Sequence, residues 1–110
     1  MTSDAEKLLV LIFKNYKDKI KAGSSRSNAK KFGHYEELHA ALNLNISLVD
    51  TADYIGELVK AEYLDASYGS NLPMEVKLTD KGIEFGEKKF VNDVKDVLNW
   101  AGSIVNIFKP

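Results

Sequence analysis

The chain has 110 residues, of which 45% are hydrophobic and 28% are charged, and it has a formal net charge of -1 and no cysteine. Length and composition fit one globular domain over residues 1–110, and they exclude disulfide scaffolds, cysteine-ligated metal sites and cysteine nucleophiles. A net charge near zero also argues against a strongly basic nucleic-acid-binding domain.

Charge is divided along the chain. The segment Lys14–Lys31 has seven basic residues and one acid, a balance of +6, whereas Glu36–Asp65 has seven acids and one lysine, a balance of -6. We name them the basic segment and the acidic segment. A partner selected by charge would therefore meet two poles.

The longest apolar run, Leu8–Phe13, has six residues, far fewer than the roughly 20 that a membrane-spanning helix needs. Asp4 and Glu6 stand before this run, where a signal peptide would be basic. We therefore expect a cytoplasmic protein.

The first helix is predicted from Asp4 to Lys21. Its apolar residues form one stripe at helical spacing, which consists of Ala5, Leu8, Leu9, Ile12, Phe13, Tyr16 and Ile20. Ser3 or Asp4 is expected to cap its start, and Gly23 to end it, with a loop over 22–28. Val10 and Leu11 fall outside the stripe and predict a second contact surface.

Two shorter helices follow. The second is predicted over Tyr35–Leu42, and the third begins after Ser47, with Asp50 three residues later as in a capping box. The third helix is expected to bury Leu48, Ala52, Ile55 and Val59, joined by Leu58. Its outward residues would then be Asp50, Asp53, Tyr54, Glu57 and Ala61.

Beyond Tyr63 the apolar period changes to two. Leu64–Tyr68 and Met74–Leu78 are predicted as the strands of a hairpin with a loop of about five residues. A last helix is predicted from Lys81 to Phe108, capped by Thr79 or Asp80, with a heptad seam. It would be about 42 Å long, against about 26 Å for a compact domain of this size, so residues 80–108 are expected to serve as a dimerisation element.

The residues around the hairpin resemble those of winged-helix proteins. Leu78-Thr79-Asp80-Lys81-Gly82-Ile83-Glu84-Phe85 is similar to the Leu-Thr-x-Lys-Gly-x-x-Phe/Tyr exit of the wing. Leu58–Leu64 is similar to the passage from third helix to first wing strand, with Glu62 where glycine is usual. The resemblance implies an α+β winged helix: a three-helix helix-turn-helix core, a two-stranded wing and a long C-terminal helix.

With its Trp100-containing tail, the chain most resembles the small YjcQ-like, prophage-associated winged-helix family. That resemblance implies a DNA-binding, regulatory or phage-related role. In helix-turn-helix proteins the recognition helix enters the major groove, but here its outward carboxylates would oppose the phosphates. The predicted phosphate contacts therefore lie in the basic segment: Lys14, Lys17, Lys21, Arg26, Lys30 and Lys31.

The alternative is a protein-interaction module, a homodimer or adaptor, that does not bind DNA. Apolar residues near the two ends of the chain predict a surface for self-association. They are Val10, Leu11, Val97, Ala101, Ile104 and Phe108.

No enzyme is predicted. His34 and His39 are five residues apart, whereas two histidines on one metal-binding helix face need a spacing of four. Glu36 and Glu37 are adjacent and point apart, so they do not form an acid–base pair. We expect no metal, no cofactor and no small-molecule substrate, and the weakly charged polar face of the tail disfavours attachment to a membrane surface.

Overall fold

The computed structural model describes residues 1–90, and within them the chain is α+β, with five helices and one three-stranded antiparallel sheet. In the first helix, α1 (Ser3–Lys21), every residue of the predicted stripe is buried except Ile20, which is half-buried. Its cap is Thr2, whose hydroxyl accepts from the backbone N–H of Ala5 at 3.2 Å. Gly23 follows in left-handed conformation, as predicted for the residue that ends the helix.

A short helix and a short strand follow, and neither was predicted. The helix α2 (Arg26–Ala29) begins at Ser25, whose hydroxyl accepts from the backbone N–H of Asn28. The strand β1 (Lys31–Gly33) buries Phe32 between a charged residue and a glycine. Three residues are too few to display an alternating pattern, so this strand carries no periodic signal.

The next two helices agree with the sequence prediction within two residues. In front of α3 (Tyr35–Ala41), the Nδ1 atom of His34 accepts from the N–H of Glu36, and the Glu37 carboxylate accepts from the N–H of His34, both at 3.2 Å. In front of α4 (Leu48–Lys60), the hydroxyl of Ser47 accepts from the N–H of Asp50 at 3.0 Å. The bonds at α3 are reciprocal, as in a capping box, whereas at α4 only the Ser47 bond is present, and both satisfy amides that have no partner in the first helical turn.

The hairpin consists of β2 (Leu64–Gly69) and β3 (Leu72–Leu78). Its loop has two residues, Ser70 and Asn71, both left-handed, as in a type I′ turn. The predicted five-residue loop was wrong because the strands continue through Gly69 and Leu72. The sheet order is β1-β3-β2, so β3 lies in the centre.

The last described helix is α5 (Asp80–Lys89), capped by the hydroxyl of Thr79, which accepts from the N–H of Gly82 at 3.1 Å. This cap was predicted. Phe90 has extended backbone, so α5 ends at Lys89. The rest of the predicted helix lies outside the described residues, together with four predicted interface residues: Val97, Ala101, Ile104 and Phe108.

The core encloses a larger part of the circumference of α1 than the predicted apolar stripe covers. Helices α2, α4 and α5 all contact α1. Val10 is completely buried in this core, and Leu11 is half-buried against it. The prediction that Val10 lies on a second, free surface was therefore wrong, because neighbouring elements enclose α1 over a larger arc.

Candidate functional site

Half of the predicted phosphate contacts are paired with carboxylates of the same chain. Lys14 lies 2.6 Å from Asp18 on α1, and Lys30 lies 3.1 Å from Asp80 at the start of α5. Lys17 lies 3.9 Å from Glu87 on α5. The charge of the basic segment is therefore partly neutralised, mainly by acids of α5 that are distant in sequence.

Arg26 is exposed and lies near charged and polar groups of α1 and α5. Hydrogen bonding with the hydroxyl of Tyr16 raises the pKa of Arg26, and the nearby carboxylates of Asp80 and Glu87 act in the same direction. Lys21 and Lys31 are exposed and make no ion pair with residues 1–90.

Lys19 is the basic residue with the clearest structural role. Its ammonium group donates to the carbonyl of Lys31 at 2.9 Å and lies 3.8 Å from the ring centroid of Phe32. Burial lowers the pKa of Lys19. This side chain attaches β1 to α1 and is unsuited to contact a ligand.

The buried stripe of α4 differs from the prediction. Thr51, Ile55 and Leu58 are buried, whereas Leu48 is 38% exposed and Val49 is 70% exposed. The prediction that Leu48 packs inside was wrong. The bonds of Ser47 fix the start of the helix: its hydroxyl accepts from Asp50, and its carbonyl accepts from the buried Thr51 hydroxyl at 2.9 Å. This turns Thr51 inward and leaves Leu48 and Val49 at the surface.

The acids of α4 are not paired with the basic segment. Asp50 and Asp53 are exposed. Glu57 accepts from the backbone N–H of Thr2 at 3.0 Å and from its hydroxyl at 3.2 Å. Because Lys30 pairs with Asp80 instead, the negative charge of α4 remains at the surface, as the sequence predicted.

Tyr54, predicted to point outward, is half-buried. Its hydroxyl donates to Asp4 at 3.2 Å, which connects α4 to the beginning of α1. Burial, together with this bond to a carboxylate, raises the pKa of Tyr54. One flank of α4 is thus covered by the N-terminal residues, while the side that carries Val49 and Asp53 is open.

The hairpin extends the open side of α4. The hydroxyl of Tyr68 lies 3.8 Å from the position where a Cβ of Gly56 would stand, and Tyr68 is 49% exposed. Met74, 42% exposed, lies on the Cβ side of Gly69, which is the opposite face of the hairpin from Tyr68. We name Leu48, Val49 and Tyr68, with Asp50, Asp53 and Glu57 of α4, the α4–hairpin face.

Three exposed large apolar side chains, those of Leu48, Val49 and Tyr68, lie on this face. Among residues 1–90, the large apolar side chains that are exposed are Met1, Leu48, Val49, Tyr68 and Met74. Met1 precedes Thr2, which binds Glu57 of α4. Such clustering is typical of interaction surfaces, whereas single exposed apolar residues have no such meaning.

Val49 and Tyr68 were not predicted as functional residues from the sequence. The position of Val49 two residues after the Ser47 cap, off the buried stripe, was an available signal. The approach of Tyr68 to Gly56 depends on how the hairpin packs on α4, which no local pattern contains.

The two histidines have structural roles. His34 caps α3, and the Nε2 atom of His39 lies 2.8 Å from the carbonyl of Ile46, to which it donates. Within residues 1–90, no group of three or more histidine, aspartate or glutamate side chains is arranged to hold a metal ion. No helix in that part of the chain is long and apolar enough to cross a bilayer.

Comparisons of this chain with protein-family models, with curated proteins and with solved structures found no match.

Proposed function

We propose that the chain is a non-enzymatic winged-helix module that binds another protein through the α4–hairpin face. The order of elements supports the winged-helix assignment: α1, the four-residue α2, β1, α3, α4 and then the β2–β3 hairpin. The sheet order β1-β3-β2 agrees with it, because the strand that follows α1 pairs with the second strand of the wing.

One observation carries the functional part of this proposal. The helix α4 corresponds to the recognition helix of a winged-helix protein. Its Val49 side chain is 70% exposed, and its Asp53 is exposed to solvent. DNA affinity depends on cations that neutralise phosphates. The exposed cation of α4 is Lys60, at its C-terminal end. An exposed apolar residue beside unpaired carboxylates is suited to contact another protein and unsuited to contact DNA phosphates.

DNA binding through the basic segment is the competing function, and it makes a quantitative prediction. Three unpaired cations, Lys21, Arg26 and Lys31, would neutralise about three phosphates, which gives a salt slope of about -2.7. Affinity would then fall roughly 40-fold between 50 and 200 mM salt. We expect no such binding, because ion pairs partly neutralise Lys14, Lys17 and Lys30 and leave few cations for phosphates.

Two titrations of the full chain test the proposal. The first uses a labelled duplex DNA at 50 and 200 mM salt, and we expect no saturable binding at micromolar protein. The second uses a helical peptide with a leucine face and a glutamine face, followed by amide chemical shifts. We expect shifts at Val49 and Tyr68, and their loss in Val49→Ser.

DNA binding with the slope given above, abolished in a Lys21→Gln, Arg26→Gln, Lys31→Gln variant, would replace this proposal with the DNA-binding one. Peptide-induced shifts confined to residues away from the α4–hairpin face would also contradict it.

A further inference from the structure

We infer that the partner presents a basic amphipathic helix to the α4–hairpin face. This inference rests on the proposed function and adds the chemical class of the partner. It predicts an apolar side chain packed between Val49 and Tyr68, and lysine or arginine side chains reaching the carboxylates of α4.

Val49 and Tyr68 supply the exposed apolar side chains of the face. Gly56 has no side chain, and the hydroxyl of Tyr68 lies over it at ordinary contact distance from a Cβ position. Val49 stands two turns before Gly56 on the same side of α4, so the exposed side chains of Val49 and Tyr68 border one stretch of this helix. The burial of Tyr68 raises its pKa, which agrees with an aromatic side chain resting partly on the protein surface. Amphipathic helices bind apolar surfaces through apolar residues spaced three or four apart.

Acidic side chains outnumber basic ones along α4. Asp50, Asp53 and Glu57 stand against Lys60 alone on this helix. Asp50 and Asp53 accept no hydrogen bond and form no ion pair through their side chains with residues 1–90. Carboxylates at the rim of an apolar surface favour a partner of opposite charge and penalise an acidic one.

A set of three synthetic peptides tests this inference. All three share one leucine face and helical length, and the opposite face contains lysine, glutamine or glutamate. Each is titrated into the full chain at 50 and 300 mM salt, with the dissociation constant measured by calorimetry. At 50 mM salt we expect the lysine peptide to bind roughly tenfold more tightly than the glutamine peptide, and the glutamate peptide to bind weakest.

The salt dependence separates charge from apolar contact. At 300 mM salt the preference for lysine should shrink to a fewfold effect, because exposed charges are screened. The apolar contribution should persist. A lysine peptide that binds no more tightly than the glutamate peptide at 50 mM salt would overturn the inference.

Two variants divide the interaction into its parts. Val49→Ser should weaken all three peptides by about tenfold, as expected for a central contact. Asp53→Asn should weaken only the lysine peptide, by a fewfold. The matched control is Glu84→Gln, which removes one exposed charge from α5 and should leave every affinity unchanged. Circular dichroism verifies that each variant is folded.

The outcomes also distinguish this inference from the proposed function. If all three peptides bind with equal affinity and Val49→Ser weakens them, the face binds protein and the inference about charge is wrong. If none binds while duplex DNA does, the proposed function is wrong. If the free protein is a dimer that Val49→Ser dissociates, a second copy occupies the face and the basic helix is excluded.

Discussion

The ring of Phe13 in α1 lies directly against the backbone of Gly86 in α5, with no room for a Cβ between them. Phe13 is 1% exposed and Gly86 is buried. The absence of a side chain at Gly86 allows α5 to approach α1 this closely. Gly82, one turn earlier, is limited in the same way by the carbonyl of Tyr63 and the side chain of Leu78.

Gly86→Ala should therefore destabilise the protein by about 2 kcal/mol, because an added methyl group overpacks the core. Gly56→Ala is the matched control. Gly56 is also inside a helix, but an added Cβ would meet Tyr68 only at 3.8 Å, so this variant should gain roughly 0.5–1 kcal/mol in helix propensity. Urea denaturation followed by circular dichroism measures both. Equal stabilities for the two variants would refute the close packing of α5 on α1.

The imidazole of His34 should contribute to stability as a helix cap. Its Nδ1 atom accepts from the N–H of Glu36 at 3.2 Å, so His34→Ala leaves that amide without its partner and should cost about 1 kcal/mol. His34→Asn should retain most of the stability, since asparagine is a preferred capping residue. Thermal unfolding of both variants tests the cap; an alanine variant as stable as the asparagine variant would contradict it.

Alkaline pH should weaken the fold through Tyr54. Burial and the bond to Asp4 raise the pKa of Tyr54 in the folded state, above the value of about 10 expected in the unfolded chain. The unfolded state therefore loses this proton first. The stabilising contribution of Tyr54 is complete below about pH 10, and the free energy of unfolding falls as pH rises further.

Tyr54→Phe isolates this effect. At neutral pH it should cost about 1 kcal/mol, because the bond to Asp4 is lost. Between pH 10 and 11 its stability should fall less steeply than that of the parent chain. The measurement is the free energy of unfolding against pH, and parallel profiles for the two proteins would show that Tyr54 does not contribute.

Glu62 has a left-handed backbone, with φ of 67°, at the position where the resemblance to winged-helix proteins led us to expect glycine. A side chain in this region costs about 1–2 kcal/mol, whereas glycine loses about 0.5–1 kcal/mol more on folding. Glu62→Gly should therefore stabilise the protein by about 0.5 kcal/mol. Glu62→Ala keeps the Cβ and should bring no gain. A Gly variant less stable than the Ala variant would show that the connection between α4 and β2 is not strained.

The caps of α4 and α5 were predictable because their signals are local, whereas the predicted cap of α1, Ser3 or Asp4, was wrong because Thr2 caps that helix. Ser47 and Thr79 each stand three residues before the amide that they bind, and the apolar stripe of α1 gave its length within one residue. The strand β1 was missed because Phe32 is its single buried residue, and the predicted hairpin loop was too long because Ser70 and Asn71 had no marked turn pattern.

The candidate site was less predictable because it depends on distant residues. The acidic surface of α4 followed from the sequence, since only the inward direction of the helix was needed. The pairing of Lys17 with Glu87 and of Lys30 with Asp80 joins residues 70 and 50 positions apart, and the burial of Val10 depends on several helices together. Such relationships follow from tertiary packing, which the periodicity of one element does not contain.

The pairing of β1 with β3 has a consequence for the order of folding. The β2–β3 hairpin closes through a two-residue turn, whereas Lys31 reaches Lys77 across more than 40 intervening residues. Loop-closure entropy makes the distant pairing slower. We expect the hairpin to form before the folding transition state and β1 to join after it, so Phe32→Leu should accelerate unfolding and leave the refolding rate nearly unchanged in stopped-flow experiments. Equal effects on both rates would place β1 inside the folding nucleus.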